Sequence, residues 1–245
     1  MGFLKNFFAN ALNEQPQVTT SNSFDCLSES DLERHLSVSQ YGDFELSDAI
    51  RPSFDLKVMP TQGYRHEFYR DDQDGSSIPV VMSSVSKELL FETFMELIEP
   101  LGNVVDVVLE TSHDRDHSGH NDLYREHIDM PVLKSILYDF EDLLTNDGCT
   151  GIAVLNPGAP LEVQLDEHKL MIVYGQSLAK FERILESNNV RCDEEMQFIT
   201  EAEHVHSSCD KYAQQFDELK TALGMDGGGG FYDGDHHADD ADYCF

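Results

Sequence analysis

Between Thr111 and His120 the chain reads Thr-Ser-His-Asp-Arg-Asp-His-Ser-Gly-His, which places three histidines and two aspartates in ten residues. Imidazole nitrogens and carboxylate oxygens at this density are the donor set of a divalent-metal site, where about three protein ligands converge and leave a position for water. Asp114, Asp116, His117 and His120 are the local candidate ligands. A second pair stands far downstream in His204-Val-His206, where residues two apart on a strand share one face. Glu201 and Glu203 neighbour that pair and are candidates to orient its rings. The competing expectation is a hydrated acidic loop, because surface connections are commonly rich in titratable side chains.

Other chemistries find less in the chain. There is no GxSxG elbow for a nucleophilic serine, and the four glycines 227–230 lack the lysine of a phosphate-binding loop. Cys209 lies near His206 in sequence but is expected to begin a helix, which leaves the geometry of a thiol–imidazole pair unset. The aspartates near the C-terminus do not follow the spacing of a calcium loop. Residues 104–119, an apolar stretch running into Asp116-His117, resemble the first metal motif of metallo-β-lactamase-fold hydrolases, HxHxDH after a strand. Asp116 and His117 coincide with the motif's closing pair, whereas Ser112 and Asp114 stand where that family has its two leading histidines. No glycine-flanked histidine downstream matches the family's next ligand motif. The resemblance implies metal-dependent hydrolysis at this loop, with Asp114 as a substitute ligand.

The elements that would position these residues follow from periodicity. Residues 64–69 and 78–83 read as a hairpin joined through the turn formers of 71–75. An apolar helix over 89–98 stops at Pro100-Leu-Gly102 and feeds a strand over 104–109, so the His/Asp run sits at a strand's C-terminal end. Pro131 opens a helix that reaches Leu144 and is ended by Asn146-Asp-Gly148. A strand over 151–155, a hairpin of 161–165 and 170–174 across Asp166-Glu-His-Lys169, a helix behind Ser177, a strand over 196–200 and a helix carrying Tyr212, Phe216, Leu219 and Leu223 complete the pattern. This mixture predicts an α+β domain over 64–224, with helices packed on a largely antiparallel or mixed sheet. A polar N-terminal arm, 1–63, precedes it. The arm holds an amphipathic helix in its first dozen residues and a brief helix capped by Ser30. A glycine-rich acidic tail, 225–245, follows.

The charge balance, 16 basic against 47 acidic residues for a net −31, repels phosphate backbones and anionic lipid, and disfavours nucleic acid as a partner. It suits divalent cations or a positively charged protein. Five scattered cysteines without a CxxC suggest neither a disulfide framework nor a zinc ribbon, and fit a reducing, cytoplasmic setting. The first dozen residues hold too short an apolar run for a signal peptide or a membrane span. Two readings emerge. One is a non-catalytic acidic domain that engages an unidentified protein through its arm and tail, with no cofactor. The other is a divalent-metal-dependent hydrolase built on Asp114, Asp116, His117 and His120, with His204 and His206 as further ligands.

Overall fold

A computed structural model describes residues 23–24, 27–70, 77–113 and 121–226. The N-terminal amphipathic stretch, the 71–75 turn, the tail beyond 226, and Asp114, Asp116, His117 and His120 lie outside the described residues.

The architecture is α+β, as the sequence implies. Three short strands come first: β1 (Gln40–Tyr41), β2 (Phe44–Glu45) and β3 (Ile50–Pro52). The main sheet then takes β4 (Gly63–Arg70), β5 (Ser77–Ser84), β6 (Val104–Thr111), β7 (Asn121–Asp129), β8 (Thr150–Leu155), β9 (Leu161–Leu165) and β10 (Leu170–Gly175). Its spatial order is β4-β5-β10-β9-β8-β6-β7, with every neighbouring pair antiparallel. A last strand, β11 (His204–His206), pairs with β3 in a separate two-stranded ribbon.

Alternation along the central strands explains the layering. Val105, Val107 and Leu109 of β6, Ile152 and Val154 of β8, and Met171 and Val173 of β10 turn to one face. Helices α2 (Lys87–Ile98), α3 (Met130–Asp139), α5 (Ala179–Ser187) and α6 (Asp210–Ala222) bury that face, contributing Phe94, Leu133, Phe181 and Leu219 to one continuous core. Full burial of each such side chain is worth about 1.5–3 kcal/mol, which fixes the register because a one-residue slip would turn the apolar set outward.

Several local expectations are revised. The helix expected to run on to Leu144 is divided at Phe140, whose ψ of 21° leaves the helical range, into α3 and α4 (Glu141–Asn146). The first described helix, α1 (Glu29–Leu36), is capped by Ser28 rather than Ser30, with Ser28 Oγ accepting from the Asp31 amide at 3.3 Å. Residues 196–200 form no strand. Met196 and Phe198 are buried against the sheet, but the Arg65 guanidinium takes the Met196 carbonyl and the Phe198 amide donates to Glu201 Oε1 at 2.9 Å. Side chains thus satisfy a backbone that would otherwise need a ladder. The sheet edge β7 was not evident in the sequence. Its charged, largely exposed side chains suit an edge that must avoid pairing with another chain.

Candidate metal centre

Two of the anticipated ligands meet a third residue that sequence reasoning treated only as part of a turn. His204 and His206 project from the same side of β11, and His168 rises from the turn between β9 and β10. The ring centroids of His168 lie 4.9 Å from those of His204 and 4.7 Å from those of His206, with 5.2 Å between the latter two. One ring nitrogen from each lies within 4.8 Å of the others.

The β9–β10 turn is built to hold His168. The Lys169 amide donates to the Asp166 carbonyl at 3.0 Å, and the Leu170 amide to Asp166 Oδ1 at 2.8 Å. Lys169 adopts φ +61°, a left-handed conformation that costs a non-glycine residue about 1 kcal/mol. Its buried side chain offsets that cost by donating Nζ to the Thr150 carbonyl at 2.8 Å, pinning the turn to β8. Burial lowers the Lys169 ammonium to about 8.

The β11 side is held by a three-segment seam. The register pairs His204 with Pro52 and His206 with Ile50. The Gly148 amide donates to the Ser207 carbonyl, and the Ser207 amide to the Ala49 carbonyl, each at 2.8 Å. A Cβ on Gly148 would stand 2.2 Å from the Ala49 carbonyl oxygen, so the three backbones close on a residue without a side chain.

The ring hydrogen bonds decide which nitrogens are available. His204 Nδ1 is 2.8 Å from the Ala202 carbonyl, and His206 Nδ1 is 2.7 Å from the Gly148 carbonyl. A carbonyl only accepts, so both rings carry their proton on Nδ1. His168 Nδ1 likewise donates to Asp166 Oδ2 at 2.9 Å. Nε2 is the nitrogen left to each ring, and among the described residues none of the three has a hydrogen-bond partner. Burial holds the pKa of His204 and of His206 below the ordinary histidine value, with the neighbouring His168 adding to the effect at both. Burial also works against a charged His168, but the Asp166 carboxylate outweighs it and the pKa is raised. Asp166 itself is held low, since the His168 ring overcomes the effect of burial. Carboxylate, imidazole and open Nε2 form the arrangement that orients and strengthens a metal-binding histidine.

The neighbouring acids expected to orient the rings do other work. Glu201 takes the Arg65 guanidinium at 2.7 Å and Glu203 takes the Ser23 amide at 3.0 Å, whereas backbone carbonyls orient His204 and His206. His113, the described residue that opens the His/Asp run, stands apart from the triad: its Nε2 is 3.0 Å from Asp147 Oδ2. A further grouping, His66, Cys192 and Glu194, is exposed at the surface. The signal for His168 was present as an aspartate two residues before a histidine within a tight turn, but nothing local linked that turn to His204-Val-His206.

His168 and Lys169 also line a cleft of about 20 Å3 with Phe198 and Ile199. That is room for about one water molecule. Among the described residues no helix is long and apolar enough to cross a membrane. Comparison with protein-family models, curated proteins and solved structures finds no match.

Proposed function

We propose that this chain is a divalent-metal protein in which His168, His204 and His206 hold one transition-metal ion, zinc foremost, for hydrolytic chemistry. The observation that carries this reading is three packed rings with one nitrogen of each within 4.8 Å of the others, every Nδ1 being taken by an oxygen acceptor and every Nε2 having no hydrogen-bond partner among the described residues. Imidazole donors suit zinc and its neighbours and are poor ligands for calcium or magnesium. Three histidines without a thiolate are also the kind of set that leaves a fourth position for water, whose pKa a zinc ion lowers to about 7.

The chain's own residues have defined parts in this reading. Asp166 fixes the His168 tautomer, the Ala202 and Gly148 carbonyls fix the other two, and Glu167 adds negative charge beside His168 and His206 that favours a bound cation. A cytoplasmic location belongs to the same proposal and draws support from Cys149, Cys192 and Cys209, which are free thiols.

Metal analysis of the purified full chain tests the proposal. The unsubstituted chain should hold one equivalent more of zinc-type metal than His168→Ala or His204→Ala, and chelation should abolish turnover of activated esters or phosphodiesters. Equal metal content in the three proteins, or none in any of them with no affinity tighter than millimolar, contradicts it. The protein-binding reading rests on the ends of the chain. It is tested by comparing proteins captured with and without residues 1–22 and 227–245, a truncation that spares β3 and so leaves β11 its partner.

A further inference from the structure

We propose that His113, Asp147 and Cys149 form a second cation site, at the residues flanking Gly148, that takes a thiophilic divalent ion such as zinc or cobalt. The proposal stands on different side chains from the three-histidine centre and does not depend on it.

A ring nitrogen of His113, a carboxylate oxygen of Asp147 and the Cys149 Sγ lie within 4.8 Å of one another. Asp147 is fully buried at 0% exposure. Its Oδ2 accepts from the Thr150 hydroxyl at 2.5 Å and faces His113 Nε2 at 3.0 Å. Its Oδ1 is buried and accepts no hydrogen bond of normal geometry. His113 Nε2 is also buried and, despite its closeness to the carboxylate, is not aligned for a hydrogen bond with it. The other ring nitrogen, Nδ1, is engaged by Thr111 Oγ1 at 2.7 Å.

Two buried polar atoms on facing side chains thus make no hydrogen bond, His113 Nε2 meeting only the charge of the carboxylate, which is a costly arrangement. A cation between them would satisfy both. Burial opposes ionisation of Asp147, yet His113, Ser208 and Thr150 together keep its pKa low, so the carboxylate is charged at neutral pH. Burial keeps the Cys149 thiol protonated above its ordinary range. On binding, Cys149 releases that proton to solvent and ligates as thiolate. One carboxylate and one thiolate then balance a divalent charge, leaving a buried site with no net charge. The nitrogen, oxygen and sulfur set favours zinc-type ions over calcium or magnesium.

The links between the two centres run through the backbone. Gly148, whose carbonyl holds the His206 ring, lies between Asp147 and Cys149 in sequence. Asp147 also accepts from Thr150, whose own carbonyl anchors Lys169 beside His168.

Titration of the full chain with cobalt(II), in a thiol-free reductant, tests the assignment. A near-ultraviolet thiolate-to-cobalt charge-transfer band should develop, persist in Cys192→Ser and in His168→Ala, and disappear in Cys149→Ser. Absence of the band in the unsubstituted chain, or its persistence in Cys149→Ser, overturns the proposal. Alkylation of the unsubstituted chain, mapped by mass spectrometry, keeps the test independent of how the variant folds. Zinc should slow iodoacetamide modification of Cys149 at least about tenfold while leaving Cys192 and Cys209 unchanged, and an unaltered rate at Cys149 overturns the assignment.

Discussion

His66 and His168 each sit beside a carboxylate, yet the two rings are left in opposite conditions. His66 is 40% exposed, and both of its nitrogens are engaged, Nδ1 by Glu194 Oε1 at 2.6 Å and Nε2 by Glu182 Oε1 at 3.3 Å. His168 is 16% exposed, and Asp166 takes only Nδ1. Its ring packs against two others whose own Nδ1 atoms are occupied by backbone carbonyls. The surface cluster is complete as an ion pair between well-hydrated groups, which is worth little. The β11 cluster has Nε2 lone pairs that no described hydrogen-bond donor meets. Density of metal-ligating residue types does not distinguish the two, but the fate of each second ring nitrogen does.

The comparison breaks most severely at Gly148. Gly148→Ala forces a Cβ into the Ala49 carbonyl, and should cost about 3 kcal/mol while displacing the His206 ring from its anchor. Thermal denaturation should show the loss, and bound metal should disappear with it. Zinc in the unsubstituted chain should act in the opposite direction. At free zinc of 100 times Kd, occupancy of this centre adds about 2.7 kcal/mol to the folded state, a part of the Tm rise that His204→Ala removes and His66→Ala leaves intact. Lowering the pH through the ordinary histidine range should release this metal, because protons compete for Nε2.

Asp166→Asn sharpens the contrast without removing a ligand. It should weaken zinc binding about 10- to 100-fold by isothermal titration. The equivalent change at the surface, Glu194→Gln, should leave zinc affinity unchanged.

The smallest effect is expected at His66 itself. Its pKa is raised chiefly by the hydrogen bond to Glu194, and Glu194 is lowered to about 2 chiefly by the hydrogen bond to His66. A raised histidine contributes stability that is fully present below its ordinary 6.5 and is lost as pH rises through the folded-state value. The lowered carboxyl contributes above its ordinary 4.5, and that part is lost as pH falls towards about 2. Both groups are well solvated, so His66→Ala should shift stability by less than about 0.5 kcal/mol even between those limits. Proton NMR should show the His66 pKa falling in Glu194→Gln.

The layering was legible in the sequence because central strands such as Val104–Thr111 and helices such as Lys87–Ile98 carry unambiguous apolar periodicity. The edge strand Asn121–Asp129 was not, because its charged faces conceal a period of two. Residues 196–200 misled for the reverse reason: alternating burial came from packing under Arg65 and not from strand pairing. Of the site, His204-Val-His206 was legible from i, i+2 spacing on a short strand. His168 lies far from it in sequence, on a turn whose position depends on sheet order, and sheet order is a tertiary property. The dense run from His113 to His120 drew attention by composition, but its described member, His113, faces Asp147 and not the triad.

Long-range proton–nitrogen correlation spectra of the histidine rings probe the three-histidine centre most directly. Without metal, His204 and His206 should be protonated on Nδ1. Saturating zinc should move the Nε2 resonances of His168, His204 and His206 together and leave His66 in place. Rings protonated on Nε2 at His204 and His206, or zinc that moves His66 and not this trio, would contradict the assignment.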